Sequence, residues 1–396
     1  MVVSGILLLL VSLGWAVDEQ PFVGSASNGS LVLRPIEGQH VLIDGVAFRE
    51  IVYRLERAEQ LLKQQMCRTV ADTAAIGGLG SGPTAKWRRG VLANNGKIYG
   101  VPFDAVSVLV IDPATNTADT TTMTGFAGAA KWAGGVLAGN GNIYCIPFHA
   151  DAVLIIDAAT NTTDRSTITG LSGLHKWGGG VLANNGKIYG IPRGSRSVLI
   201  IDPSTNAVDT SIVVTAAGDW MTGALAGNGK IYAIPHFASS VLIIDPATNA
   251  TDTTSMTGLE GEAKWSAGVV AGNGKIYGIP SWSDAVLIID PATNTADTTS
   301  ITGLNANSSR AAAAGHWLGG VLANSGKIYG MPHDASTVLV IDPHTNTADT
   351  SSVGSGLPGG PAQWLGGVLA ANGQVYGIPS MASSVLVLRS DCQGLV

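Results

Sequence analysis

Charge is scarce in this 396-residue chain: Asp, Glu, Lys and Arg make up 13 % of it, 22 basic against 28 acidic, for a formal net charge of -6. Such a chain offers no basic surface for nucleic acid, which is gripped through its phosphates. It also lacks the polybasic cluster that docks on anionic lipid. Cysteine occurs three times, too seldom for a small scaffold built on disulfides. Aromatic residues are 6 % of the chain. The apolar run Ile6-Leu-Leu-Leu-Leu-Val11 is too short to span a bilayer. Followed by the small residues Gly14 and Ala16, it reads as a signal peptide over 1–16, cut after Ala16. Secretion is the expectation, and sequons at Asn28, Asn161, Asn249 and Asn307 are compatible with a glycoprotein.

What is abundant is Gly, 52 residues, alongside Thr, Val and Ile. That mixture suits an all-β protein with many tight turns. Self-similarity then fixes the architecture. A segment opening with Trp recurs at Trp87, Trp132, Trp177, Trp220, Trp265, Trp317 and Trp364, at intervals of 45, 45, 43, 45, 52 and 47. One copy shows the grammar: Trp177-Gly-Gly-Gly-Val-Leu-Ala-Asn-Asn-Gly-Lys-Ile-Tyr-Gly-Ile-Pro192, a variable stretch, then Ser197-Val-Leu-Ile-Ile-Asp-Pro-Ser-Thr-Asn206. Each copy holds four strand signals separated by turn signals. The first strand is short and small. Asn-Gly supplies the positive φ angles of a tight hairpin. The third strand is apolar throughout, so both its faces are expected to be buried, and the Asp-Pro turn after it leads to a polar, Thr-rich fourth strand. Four-stranded units at a period near 45 residues match the blades of a seven-bladed β-propeller.

The last copy stops after three strands. Residues 69–76 resemble the fourth strand of the first copy, around 117–123, and are expected to complete blade seven, leaving no open seam. In that split blade Arg389 takes the position of the first turn Asp and Asp72 that of the second. Cys392 and Cys67 then fall on adjacent sites of one turn, within plausible reach of a disulfide, worth up to about 5 kcal/mol for so long a loop. Cys145 replaces a strand Gly and reads as a buried, unreactive thiol. Ahead of the ring, residues 17–46 are irregular, with short strands expected near 30–33 and 41–43. Over 47–66, Phe48, Ile51, Val52, Leu55, Ala58, Leu62 and Met66 recur at helical spacing. This predicts an amphipathic helix of about 30 Å that packs on the propeller or joins subunits.

The repeated Trp, Tyr, Asn-Gly and Asp-Pro residues occur in nearly every blade, and a reactive group is needed once, so they read as packing and turn residues. Function is expected where copies differ, in the loop after the strand-two Pro and the loop before each Trp, which emerge on one face. The first set offers Phe103, Asp104, Phe148, His149, Arg193, Arg196, His236, Phe237, Trp282, Asp284, His333, Asp334 and Met381. The second adds Arg88, Arg89, His175, Asp219, Glu260, Glu262, Arg310 and His316. Exposed aromatics beside charges are what recognition surfaces use. His149, His236 and His333 fall at nearly the same loop position in alternate blades and are candidate metal ligands. The small residues Gly90, Gly135, Gly180, Gly223, Gly268, Gly320 and Gly367 leave the channel without a carboxylate. No nucleophile elbow, phosphate loop, metalloprotease signature or paired-Cys zinc pattern occurs, and no cofactor is expected.

The stretch Gly-Lys-Ile-Tyr-Gly-Ile-Pro, a loop, then Ser-Val-Leu-Ile-Ile-Asp-Pro-Ala-Thr-Asn resembles the YVTN-type repeat of surface-layer and secreted propellers, over residues 69–390. The resemblance implies a seven-bladed ring. Relatives such as streptogramin lyases are metal-dependent enzymes on a similar ring, and their His and Glu constellation has no residue-by-residue counterpart here. The reading is a secreted binding or scaffold propeller for a protein, glycan or small ligand. A metal-dependent lyase or lactonase-like enzyme, and a structural cell-surface or matrix protein assembled through residues 47–66, are the alternatives.

Overall fold

The computed structural model describes residues 68–391 apart from 83, 217 and 305–316, together with 23–25, 31–33, 42–43, 46–47, 54 and 57. The chain divides into two units, residues 1–67 with 392–396, and residues 68–391. In the first unit Val23–Ser25 pairs with Leu31–Leu33, and Leu42–Ile43 with Val46–Ala47, both antiparallel. The expected signal peptide lies outside the described residues, as does the expected helix over 47–66 except for Arg54 and Arg57, which are helical and exposed. Among the described residues no helix is long and apolar enough to cross a membrane.

The second unit is a seven-bladed β-propeller made of seven four-stranded antiparallel sheets. We label the strands of each blade a to d, from the axis outward. In blade 1 they are Trp87–Leu92, Ile98–Pro102, Leu109–Asp112 and Thr117–Asp119. Blades 2 to 6 occupy 132–164, 177–209, 220–252, 265–297 and 317–349. Strand b is buried at every residue save Asn142 of blade 2, and strand c at its three apolar residues, whereas strand d is exposed or half-buried, as blade 1 shows. The core is therefore not central. It lies in layers between neighbouring blades, each filled by the b and c strands of two sheets.

The repeated glycines of strand a explain how closely the blades stack. A β-carbon on Gly180 would sit 2.9 Å from Ile146 and Val136 of the preceding blade, and one on Gly268 would sit 2.7 Å from Ile234. These residues face a neighbouring blade rather than the channel, a correction to the sequence reading. Each blade Trp is buried, and its indole nitrogen donates to the carbonyl twenty residues later, as Trp220 does to Ser240 at 2.8 Å.

Closure follows the sequence expectation. In blade 7 strands a to c are Trp364–Leu369, Val375–Pro379 and Leu386–Asp391, and strand d is Arg68–Asp72. Val387 pairs with Asp72 and Arg389 with Val70, the same register as Val110 with Asp119 and Asp112 with Thr117 in blade 1. The strand starts one residue before the expected 69–76 and ends at Asp72. Arg389 and Asp72, placed at the two turn-Asp positions by the repeat, form an ion pair at 3.2 Å. Cys67 and Cys392 lie outside the described residues. Cys145 is free and fully buried, and burial raises its thiol pKa.

A second set of contacts ties blade to blade at the Asn-Gly end. In blade 1, Asn95 donates to the Ala158 carbonyl of blade 2 at 2.7 Å, and the Tyr99 hydroxyl meets the Oδ1 of Asn161 at 2.9 Å. Asn161 takes the left-handed conformation (φ 54°) that ends the turn, which Asn tolerates better than most residues. The latch recurs around the ring and passes from Asn372 and Tyr376 of blade 7 to Pro113 and Asn116 of blade 1. Blade 7 has no Asp-Pro-Ala-Thr-Asn turn. There Tyr329 of blade 6 bonds Thr69 at 2.8 Å instead, and the preceding hairpin carries Ser325 where the other six copies carry Asn.

Candidate functional site at the mouth of the axial channel

Trp87 pairs with Pro102 across strands a and b, and the same pairing holds in every blade. The loop before each Trp and the loop after each Pro therefore leave one end of the ring. Just inside that end, strand a carries a bulge in all seven blades, immediately after Trp or one residue further on. A bulge leaves its extra residue out of the ladder.

The residue two after Trp is Gly134, Gly179, Thr222, Ala267, Gly319 or Gly366 in six blades and Arg89 in blade 1. Six small residues leave room for one long side chain, and Arg89 takes it. Its Nη1 donates to the bulge carbonyls of Ala133 at 3.0 Å and Gly178 at 2.7 Å, and its Nη2 to that of Ser266 at 3.4 Å. One residue thus joins blades 1, 2, 3 and 5 across the axis. The fit needs glycine beside it: a β-carbon on Gly366 (φ +80°) would lie 3.0 Å from the Cα and Cγ of Arg89. Arg89 itself has φ 54°, a conformation that costs a non-glycine residue about 1–2 kcal/mol. Burial and the nearby Arg193 lower its pKa to about 10, so the guanidinium stays charged at neutral pH.

Above this plug, blades 1 to 4 contribute a connected group. Arg88 lies over the Phe103 ring at 3.5 Å, within cation–π range. Phe148 is 5.7 Å from Phe103 and stacks on His149 at 4.8 Å. His149 and His175 meet edge to face at 4.6 Å. Arg193 sits 5.2 Å from the Phe148 ring, and its Nε donates to Asp219 Oδ2 at 3.3 Å. Asp219 stands immediately before Trp220, a position held by Lys in blades 1, 2, 3 and 5. Those lysines turn inward, and the Nζ of Lys176 donates to the carbonyls of Phe148, Ala150 and Gly173. In blade 4 the Asp219 carbonyl receives the His236 backbone N–H at 2.9 Å, as the Lys176 carbonyl receives that of Arg193 in blade 3.

Burial dominates the electrostatics. It lowers the pKa of His236 to about 3, helped by Arg193, Lys264 and Arg89, so the ring is neutral at physiological pH. His149 is lowered by burial and then by His175, Lys176 and Arg88. Asp219 is raised by burial against the opposing pull of Arg193. Arg88 is lowered to about 9 by burial, then by Arg193 and Arg89.

Of the sequence candidates in the loops after the strand-b Pro, Phe103, Phe148, His149, Arg193, His236 and Phe237 come together here. Phe103 and Phe148 were expected to be exposed, yet they are 6 % and 4 % accessible and form the floor beneath Arg88 and Arg193. Phe237 and Trp282, at 47 % and 38 %, are the exposed Phe and Trp side chains among the described residues. Trp282 and Asp284 line a separate open depression of about 360 Å³ with Glu260, Glu262 and Lys264. Asp104 and Asp334 accept the backbone N–H groups of Ala130 and Ala362, both at 2.7 Å, and serve to fix loops. His333 pairs with Asp334 at 3.2 Å. His149, His236 and His333 are not brought together, and among the described residues no three His, Cys, Asp or Glu form a metal-binding group. What the sequence reading passed over is the dominance of Arg88 and Arg89. The signal was present: Trp87-Arg-Arg-Gly stands where the other copies read Trp-Ala-Gly-Gly, Trp-Gly-Gly-Gly, Trp-Met-Thr-Gly, Trp-Ser-Ala-Gly or Trp-Leu-Gly-Gly.

No family model matches the chain, and no curated protein matches it in sequence. Solved structures do resemble it. A streptogramin B lyase superposes with a TM-score of 0.62 at 11 % identity, covering 82 % of this chain and 98 % of that one. A catalytically inactive virginiamycin B lyase from Staphylococcus aureus, solved with quinupristin, gives 0.62 at 8 %, covering 81 % and 99 %. The extracellular domain of a protein described as a hybrid two-component system of Bacteroides thetaiotaomicron gives 0.55 at 8 %, covering 77 % of this chain and 40 % of that one. At these identities the likeness establishes the fold.

Proposed function

We propose that this protein is a secreted binding propeller that recognises its ligand with the Trp–Pro end of the ring. The observation that carries this reading is the concentration of blade-specific side chains there: the Arg193–Asp219 pair, the His149–His175 contact and the exposed Phe237 and Trp282. The opposite end repeats one latch. Exposed aromatics beside paired charges are the usual anchors of recognition. The extracellular domain among the similar folds supports an extracellular setting, as does the apolar leader over 1–16.

The same setting suits a disulfide between Cys67 and Cys392. The last described pair at the closing seam is Asp391 with Arg68, and each cysteine is the sequence neighbour of one member of that pair. Peptide mapping without reduction tests this, and recovery of two free thiols removes it. For the binding role, the intact protein is screened against glycans, peptides and small metabolites, then again as Trp282→Ala and His236→Ala. Loss of a hit in either variant supports the reading. Hits unchanged in both place recognition elsewhere.

A further inference from the structure

Every buried side-chain nitrogen or oxygen without a hydrogen-bond partner among the described residues lies toward the Trp–Pro end: Arg88 Nε, His149 Nε2, Asp219 Oδ1, Thr222 Oγ1, His236 Nδ1 and Ser380 Oγ. Five of the six come from blades 1, 2 and 4. A buried polar atom left unpaired costs about 1–3 kcal/mol, so native chains carry few of them, and each asks for a reason such as a bound molecule. A cluster at a channel mouth asks for one shared reason. His236 is 7 % exposed, so its Nδ1 is not simply waiting for bulk water.

The donors present say what would answer. The Arg88 side chain makes no hydrogen bond to the described residues, and Arg193 uses only its Nε on a side chain, leaving its terminal nitrogens unspent. Arg89 lies close enough to both to perturb the charge balance, yet its own donors are committed to carbonyls. Against three guanidiniums stand Asp104, bound to Ala130, and Asp219, whose Oδ1 still needs a donor. A chain with net charge -6 thus holds a local cationic excess. A guanidinium fork matches an oxyanion with two parallel hydrogen bonds. Asp219 repels a dense dianion such as phosphate but welcomes a hydroxyl.

We propose that the mouth binds a small hydroxyl-bearing carboxylate, such as an acidic sugar, with Arg88 and Arg193 on the carboxylate and Asp219 and His236 on a neighbouring hydroxyl. The inference rests on the binding role proposed above and names the class of ligand for that end. Glucuronate, galacturonate and gluconate are titrated into the intact protein by calorimetry, with glucose and sulfate as controls. The three carboxylates bind and raise the melting temperature, while glucose and sulfate bind at least about tenfold more weakly. Arg88→Gln and Arg193→Gln each weaken carboxylate binding by about tenfold or more, and Lys275→Gln at the far end leaves it unchanged. Because the shift in melting temperature is read on the unaltered protein, it decides even where a variant fails to fold. Carboxylates that bind no better than glucose, or equally well to both arginine variants, overturn the proposal. If a neutral ligand instead binds and is lost in Trp282→Ala, the binding role stands and the carboxylate class falls. If nothing engages this end, both fall.

Discussion

The two ends of the ring are built from the same repeat and have come to differ in kind. At the Asn-Gly end one latch is used again and again, and its Tyr, Asn and carbonyl groups are mutually satisfied. At the Trp–Pro end the copies diverge, and unpaired buried atoms collect. The first end is where the ring is held. The second is where one blade differs from the next, and where side chains of several blades meet in contacts that no single copy repeats.

Removing polar groups should separate the two ends, and the plug gives the largest effect. Arg89→Gly restores the small residue of the other copies but strips three bulge carbonyls of their donor. We expect a loss of about 3 kcal/mol by denaturant unfolding. Millimolar guanidinium ion should recover part of the melting temperature by occupying the emptied position. No recovery would mean that Arg89 acts by filling space alone. At the latch end, Tyr277→Phe, which loses its bonds with Asn273, Asn346 and the Pro343 carbonyl, should cost about 1–2 kcal/mol. Tyr329→Phe, whose described partner is Thr69, should cost less than Tyr277→Phe. Equal losses would break the idea that the latch has thinned at the seam.

Acid should reach the mouth first. His236 is depressed to about 3 from an ordinary 6.5. The unfolded chain therefore binds a proton that the folded chain refuses, and stability falls as pH drops from about 6.5 toward 3. The strand-d carboxylates Asp119, Asp164, Asp252, Asp297 and Asp349 are depressed from 3.8 to about 2, held by hydroxyl and backbone donors. Their contribution is intact above about pH 4 and is lost toward pH 2. His236→Gln should flatten the upper window and leave the lower one untouched, as read from melting temperature against pH. The smallest effect is expected from Thr222→Val. Its hydroxyl is buried without a partner, so the change should be neutral or slightly stabilising, the opposite of a latch substitution.

The ring was legible in the sequence because each of its rules is local. Asn-Gly and Asp-Pro set turns, short apolar runs between them set strands, and a Trp every 45 residues or so sets the blade. Even the seam could be read, since Arg389 and Asp72 stood at matching turn positions before they were seen to pair. The mouth was legible only as a set of loops. Whether Phe148 faces solvent or lies beneath Arg193 depends on how loops of three blades meet, which no single copy encodes. Arg89 was named as one loop residue among many, and not as the filler of the channel, for a related reason. A channel-filling side chain is meaningful only against six absences at equivalent positions, and each of these alone looks like an ordinary small residue.

The seam also has a mechanical side. Strand d of blade 7 and the strand it closes against both leave the ring at the same end of their pairing, at Arg68 and Asp391. Tension between the segment ahead of Arg68 and the segment beyond Asp391 would open the ladder like a zip, one rung at a time, rather than shearing all its rungs together. A covalent bond between Cys67 and Cys392 would stand in front of the first rung and carry that load before any hydrogen bond felt it.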